Sequence, residues 1–464
     1  MSKKNYVYYD QTTSLCIECH KPIDAKVVFE DGNVYLTKTC REHGYQKVII
    51  SDDISFYKEI RNYNKKSDYT ITPHTKTDYG CPLDCGICPD HEQHSCLTLV
   101  EITDRCNLSC PTCYASSSPT HGSHRSLKEV EEMLDLIVRS EGEPDVVQLS
   151  GGEPTIHPEF FKILDIAKTK PIKHLMLNTN GIKIAKDFEF VKRLKTYTPK
   201  FEVYLQFDSL ESSVYQSLRG EDLIEVKKKA IENLNKLNIP TTLVVTLQKG
   251  LNDKEIGKII DFALTQKCVR GITFQPTSVS GRLEKFNPAT DRLTTSEVRR
   301  EIVEQTNIFK LNDLVPVPCN PDSLIMAYAL KYKNKVEPLT GLVDPETLLN
   351  NSKNTIVFEK DKDMQKHVLR VFSTGNSLDS IKGSFNQLLC CLPEVASSKL
   401  RYDNLFRIII MNFMDAYDFD VRAIKKSCVH IATTEGKIIP FETMNLFYRK
   451  EFKTKLDFLR KRAL

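Results

Sequence analysis

From residue 97 onward, short apolar runs alternate with longer stretches whose apolar positions recur three and four apart. The runs predict buried strands: LTLVEIT (97–103), DVVQLS (145–150), HLMLNT (174–179), FEVYLQF (201–207), TTLVVTL (241–247) and GITFQP (271–276). The stretches predict amphipathic helices: SLKEVEEMLDLIVRS (126–140), PEFFKILDIAK (158–168), FEFVKRLKTY (188–197), LIEVKKKAIENLNKL (223–237) and DKEIGKIIDFALTQ (253–266). Strand–helix alternation builds a parallel sheet, since each return crossover needs a helix. Six units fall short of a closed eight-stranded barrel, so the predicted fold is α/β, an open (β/α)6 partial TIM barrel. Its chemistry is expected at the C-terminal ends of the strands.

Outside the barrel the pattern changes. VVFEDGNVYL (27–36) alternates around an Asp31-Gly32-Asn33 turn, a hairpin signal, and the polar RNYNKKSDYTITPHTKTD (61–78) reads as a linker. The organisation expected is a metal-binding hairpin domain over 1–65, a cysteine-rich loop over 66–96, the barrel over 97–310, and a C-terminal α+β extension over 311–464. In the tail (447–464), Tyr448, Phe452, Leu456, Leu459 and Ala463 fall on one helical face. Seven basic against two acidic residues give that helix two readings: contact with an anionic membrane, or packing on its own domain with a solvated basic face.

Composition narrows the class. The 464 residues are 40% hydrophobic and 27% charged, ordinary for a globular chain with material for a sizeable core. A net charge of +4 points to no nucleic-acid partner. The start MSKKNYVYYDQTT has no apolar segment of a signal peptide, and LFRIIIMNFM (405–414) is too short to span a bilayer and contains Arg407. A cytoplasmic protein is expected.

Fifteen cysteines change the picture, because thiols clustered in a reducing compartment are metal ligands or catalytic groups rather than disulfides. Ten precede residue 114. Cys16, Cys19, Cys40 and His43 form CxxC and CxxH pairs that the hairpin would bring to one end, where four N/S ligands suit zinc or a rubredoxin-like iron. Cys81, Cys85, Cys88 and Cys96 supply four thiolates, enough to close an auxiliary [4Fe–4S] cluster, with zinc as the competing occupant. Cys106, Cys110 and Cys113 follow the first strand as a triplet, which on a four-iron cluster leaves one iron open. The isolated Cys268 reads as a buried small hydrophobe.

Polar groups mark the next strand ends. Gly151 and Gly152 permit close backbone approach to a ligand, and Glu153, before Pro154, offers a carboxylate to an ammonium group. Asn178-Thr179-Asn180-Gly181 and Gln206-Phe207-Asp208-Ser209 offer groups suited to a ribose.

CxxxCxxC after the first strand, GGEP after the second and a six-unit barrel resemble the radical S-adenosylmethionine superfamily. The resemblance implies that Cys106, Cys110 and Cys113 hold a [4Fe–4S] cluster whose open iron chelates S-adenosylmethionine, yielding methionine and a 5′-deoxyadenosyl radical on reduction. It implies that Gly151, Gly152 and Glu153 receive the methionine ammonium. Thr179, Asn180 and Asp208 are implied for the adenosyl part, and Tyr114 beside the adenine. The N-terminal CxxC…CxEHG and the CPxDCGxCPxH…C stretch are similar to the tetraether lipid synthase group, which includes 7,8-dihydro-6-hydroxymethylpterin methyltransferases. QKGLND (248–253), FQPTSVSGR (274–282), PVPCNP (316–321) and SCVHIATTEGKIIPF (427–441) extend the resemblance. Such relatives carry three [4Fe–4S] clusters and a rubredoxin-like iron.

The chain departs from that pattern where Ser323 and Glu442 stand in place of further cysteines. Cys319 and Cys428 remain, and Cys390 and Cys391 either complete a third cluster with them or form a buried pair, the cluster being absent or incomplete. The resemblance favours carbon–carbon bond formation on a lipid chain, with methylation of a pterin as the alternative and a non-catalytic iron–sulfur electron carrier as the rival class. A flavodoxin or ferredoxin is the implied reductant. A long apolar tunnel at the barrel mouth would favour lipid; a small polar pocket with stacking aromatics would favour pterin.

Overall fold

The computed structural model describes residues 5–332, 335–342, 346, 349, 354–356 and 404–463. The predicted hairpin is the central pair of a four-stranded antiparallel meander: β1 (Val7–Leu15), β2 (Pro22–Glu30), β3 (Asn33–Cys40) and β4 (Gly44–Ser51). Asp31 and Gly32 both take positive φ (50° and 81°), the backbone that a two-residue turn between twisted strands requires. A small core of Ala25, Val27, Phe29, Val34, Leu36 and Tyr57 lies between this sheet and α1 (Ile54–Glu59).

The barrel strands fall where the apolar runs place them: β5 (Leu97–Thr103), β7 (Val146–Gly151), β8 (His174–Thr179), β9 (Phe201–Gln206), β10 (Thr241–Leu247) and β11 (Val269–Pro276). Between β5 and β7, β6 (Thr112–Cys113) pairs with β12 (Arg282–Leu283). The crossovers are α2 (Leu127–Glu141), α3 (Phe160–Thr169), α4 (Ile182–Lys186), α5 (Phe188–Lys195), α6 (Ser212–Arg219), α7 (Ile224–Leu237) and α8 (Ile256–Thr265), followed by α9 (Thr295–Gln305). Ser126 and Glu129 form a capping box that starts α2 three residues before its first buried position, Val130.

The described C-terminal strands join the barrel sheet. After β13 (Val315–Pro316), β14 (Leu324–Tyr332) and β15 (Lys335–Pro338), β16 (Leu405–Met411) pairs parallel with β11. At the other edge β17 (Val429–Ala432) pairs parallel with β5, and β18 (Ile438–Pro440) closes that side antiparallel. Eight parallel strands therefore run consecutively, β17-β5-β7-β8-β9-β10-β11-β16, in an open sheet with β13 and β18 at its ends. Arg407 lies inside the sheet, where it donates to Glu202 at 2.7 Å, and Glu202 also meets His174 at 3.0 Å. Both Arg407 and His174 lie near the strand beginnings, opposite the catalytic end.

The linker reading of 61–78 is corrected in part: Ile71 donates to Ser140 at the end of α2, and His74 to Ile87 of the cysteine loop. The tail resolves its two readings. Leu456 and Leu459 of the C-terminal helix (Lys453–Ala463) are buried with Leu15, Leu83, Phe419 and Phe447, so its apolar face covers the cysteine loop rather than a membrane. Among the described residues no helix is long and apolar enough to cross a bilayer.

Candidate functional site

Residues of the loop after β5 open into a cavity at the barrel mouth, and Cys106, Cys110, Cys113 and Tyr114 all line it. The loop is held from several sides. Thr103 Oγ1 accepts from the Arg105 amide at 3.1 Å, and Arg282 donates to the Cys110 carbonyl at 2.5 Å and the Ser117 carbonyl at 2.8 Å. Three thiolates on one cavity wall, with one metal position left open, suit a four-iron cluster. Burial, with the Glu153 carboxylate adding to it, pushes the Cys106 thiol up to about 12, and burial raises Cys110. Thiolates here need a bound cation to exist, which suits the site to a metal cluster.

The GGEP segment serves the fold more than the sequence pattern implies. A Cβ on Gly151 would stand 2.1 Å from the Thr103 carbonyl oxygen, and one on Gly152 2.1 Å from that of Arg105. The amides of Gly152 and Glu153 donate to those same carbonyls at 2.8 and 2.9 Å. The close approach read as room for a ligand is thus taken first by the cysteine loop itself. Glu153 is 1% exposed. Its Oε1 accepts from the Thr155 amide (3.1 Å) and hydroxyl (2.6 Å) and from the Thr179 hydroxyl (2.7 Å), and its Oε2 from the Asn180 amide (2.7 Å). Three donors share Oε1 and one reaches Oε2; with about two lone pairs on each oxygen, one on Oε2 remains for an ammonium. Burial raises its pKa even against these bonds.

Thr179 and Asn180 line the cavity, and Asn180 reaches Asn107 of the cysteine loop at 2.7 Å. Tyr114 meets Ser150 at 3.2 Å, and its ring centroid lies 5.0 Å from that of Phe441. Pro154 starts the turn Pro154–Ile156 behind the cavity. Both oxygens of Asp208, read from the sequence as suited to the adenosyl part, accept from Arg219 at 2.7 Å and Oδ1 also from the Thr246 amide, so it holds that cation in place. Arg219 itself lines the cavity, and Lys227, wholly buried beside it, donates to the Asn180 carbonyl (2.6 Å) and to Gln206 (3.1 Å). Burial pulls Lys227 down to about 8.

Asn178 and Gln206, read from the sequence as polar strand ends, line the cavity floor, whereas sequence reasoning missed these two cations and the floor residues Gln148, Tyr204 and Gln275. The available signal was a polar residue interrupting an apolar strand near its end, as in DVVQLS and FEVYLQF. Gln148 is 3% exposed and its amide nitrogen has no partner among the described residues, a donor placed for a ligand. Tyr204, Phe413 and Phe441 supply the aromatic wall.

Two further groups of thiols gather outside the barrel mouth. Ligand atoms of Cys16, Cys19, Cys40 and His43 lie within 4.8 Å of one another, with Cys16 and Cys40 sulfurs 3.5 and 3.4 Å from His43 Nδ1. Burial opposes ionisation of Cys40, but the Glu42 amide and the His43 ring and amide outweigh it and hold that thiol down to about 6. Four such ligands fit a tetrahedral ion. Cys81 and Cys85 interact directly, and Cys88 feels the charge of Cys81. The loop carrying them is pinned by the Tyr448 hydroxyl, which accepts from the Cys85 amide at 2.7 Å and donates to the Leu83 carbonyl at 2.8 Å. The sulfur of Cys96, grouped by the sequence reading with Cys81, Cys85 and Cys88, lies within 4.8 Å of those of Cys319 and Cys428, because β17 docks beside β5. Cys390 and Cys391 lie outside the described residues.

Residues 100–263 match the Radical SAM superfamily, and residues 8–52 match the HMPTM N-terminal zinc ribbon domain. The 7,8-dihydro-6-hydroxymethylpterin dimethyltransferase of Methanocaldococcus jannaschii is 32% identical over 96% of this chain and 95% of its own length. A GTP 3′,8-cyclase of Clostridium botulinum is 30% identical over 53% of this chain and 72% of its own. Among solved structures, Streptococcus suis SuiB bound to S-adenosylmethionine aligns with a TM-score of 0.38 and 18% identity over 46% of this chain and 47% of that one. The protein is an enzyme of the radical S-adenosylmethionine superfamily, using a [4Fe–4S] cluster and S-adenosylmethionine, and it belongs to the group of the 7,8-dihydro-6-hydroxymethylpterin dimethyltransferase.

Proposed function

We propose that this enzyme methylates a pterin, and that Cys106, Cys110 and Cys113 hold its catalytic cluster. The observation that carries the substrate reading is the cavity lining: polar groups on its floor, with Tyr114, Tyr204, Phe413 and Phe441 around it. A flat heterocycle rich in hydrogen-bonding edges is complementary to such a lining, whereas a lipid chain would leave the buried Gln148 amide nitrogen without a partner. The pterin name of the relative spanning nearly the whole chain supports this alternative over the lipid-joining reading.

When bound, the cluster would supply the electron that splits the carbon–sulfur bond of S-adenosylmethionine, giving methionine and a radical able to take hydrogen from an unactivated carbon. That methionine keeps its methyl group, so the transferred methyl would come from a second molecule of S-adenosylmethionine, which leaves as S-adenosylhomocysteine. The chain's residues orient and enclose. Glu153 Oε2 accepts from the methionine ammonium, Arg219 presents its guanidinium to the methionine carboxylate, and Tyr114 flanks the adenine. Gln148 and Gln275 take the pterin edge. A flavodoxin or ferredoxin is the proposed reductant. Cys81, Cys85 and Cys88 bind an auxiliary cluster, and the N-terminal ribbon holds zinc or iron.

The test is anaerobic incubation with S-adenosylmethionine, a reductant and 7,8-dihydro-6-hydroxymethylpterin, followed by mass spectrometry. A pterin product heavier by one or more methylene units, with pterin-stimulated 5′-deoxyadenosine, is expected. An unchanged pterin beside lipid products formed from added lipid extract would replace this reading with the lipid one.

A further inference from the structure

Three cysteines that the proposed chemistry leaves unused meet from distant parts of the chain. Cys96 immediately precedes β5, Cys319 lies in the turn between β13 and β14, and Cys428 immediately precedes β17. The Cys319 and Cys428 sulfurs are 3.7 Å apart, and that of Cys96 lies within 4.8 Å of both. None is in a disulfide, and all three are buried, at 0%, 3% and 0% exposure for Cys96, Cys319 and Cys428.

The spacing identifies what fits between them. Thiolates about 2.3 Å from a tetrahedral ion stand about 3.8 Å from one another, by the bond length and the tetrahedral angle. The ribbon site shows the same scale, with Cys19 and Cys40 sulfurs 3.9 Å apart. The barrel-mouth triplet does not, since its sulfurs are not all within 4.8 Å. We infer that Cys96, Cys319 and Cys428 bind one thiophilic divalent ion, zinc or ferrous iron, instead of the third iron–sulfur cluster that the relatives' cysteine pattern implies.

A second observation supports a bound group. Ser323 closes the same turn as Cys319, through the bond from its amide to the Asn320 carbonyl. It is 3% exposed, and its hydroxyl has no partner among the described residues. A buried hydroxyl without a partner costs on the order of 1–3 kcal/mol, and an oxygen donor is what a fourth position on a three-thiolate ion accepts. The ion would clip the start of β5, the β13–β14 turn and the start of β17 together, at the edge where the C-terminal strands join the barrel sheet.

The experiment compares the full chain with Cys319→Ser, purified anaerobically, by metal and acid-labile sulfide analysis. Loss of one zinc or iron per chain with no loss of sulfide is expected. Loss of about four irons together with about four sulfides would make the site a cluster and overturn the inference, as would an unchanged metal content. Because the readout is a difference between variant and parent, it does not depend on the cluster assignments elsewhere. Should Cys319→Ser not fold, cobalt(II) is added to Cys40→Ser, whose ribbon site is disabled. Visible bands of tetrahedral thiolate-bound cobalt are expected, and their absence overturns the proposal.

Discussion

At the residue scale, the chemistry rests on which polar atoms are already committed. Glu153 keeps one lone-pair position on Oε2, whereas Asp208, 0% exposed, holds Arg219 and the Thr246 amide inside the protein. Cys106→Ala, Cys110→Ala or Cys113→Ala should each abolish formation of 5′-deoxyadenosine under reducing conditions, and undiminished product from any of them would sink the cluster assignment. Asp208→Asn leaves the Arg219 guanidinium, 7% exposed, without its counter-charge. Removing one partner of a buried pair costs about 3–5 kcal/mol, so chemical denaturation should show a loss of that order. A loss below about 1 kcal/mol would show that Arg219 finds its compensation elsewhere. Asp208 was legible in the sequence as a polar group at a strand end. Its partner was not, because Arg219 lies on the following helix and looks like any other surface arginine until the two are seen at 2.7 Å.

At the element scale, the six central strands were legible because each is an apolar run of nearly fixed length, and their limits differ from the expected ones by a residue or two. The two outer parallel strands were not. LFRIIIMNFM and SCVHIATTEGKIIPF carry no local sign that one pairs with Gly271–Phe274 and the other with Leu97–Val100, since such pairing is decided by packing across hundreds of residues. The same distance hid the closeness of Cys96 to Cys319 and Cys428, since sequence proximity groups it with Cys81, Cys85 and Cys88. One side chain ties these late elements to the barrel: Arg449 forms a two-fold ion pair with Glu101 of β5, at 2.6 and 2.7 Å, and lies 5.7 Å from the Tyr114 ring. Burial alone would raise the Glu101 pKa, but Arg449 outweighs it and holds it below its ordinary value. A depressed carboxylate contributes stability that is present above its unfolded pKa, about 4.5, and is lost as pH falls through the folded value. Glu101→Gln should therefore remove part of the protein's acid-side loss of stability and lower stability at pH 7 by about 3 kcal/mol or more. Hydrogen exchange should quicken first in residues 444–463, and uniform protection there would show that the tail is held by its apolar contacts alone.

At the scale of the whole molecule, the ribbon at the N-terminus is docked onto the barrel rather than tethered to it. Lys38, 2% exposed, donates to the Ala416 and Tyr417 carbonyls at 2.7 and 2.9 Å, Ser51 meets Ser296 at 3.0 Å, and Arg300 pairs with Asp52. The ribbon gives only five residues to its apolar core, which Tyr57 of α1 completes, too few to hold four strands, so the four-ligand metal site is the physical reason the meander persists. With Cys16, Cys19, Cys40 and His43 all used as ligands, no position remains for substrate. Cys40→Ser should thus lower metal content by one ion per chain and expose residues 5–52 to limited proteolysis. The barrel strands and the Cys106 loop make none of these contacts, so S-adenosylmethionine cleavage should largely survive. An intact N-terminus with full metal content would show that these residues are not ligands. Loss of cleavage in a barrel that still resists protease would place the ribbon metal on the route by which electrons reach the cluster.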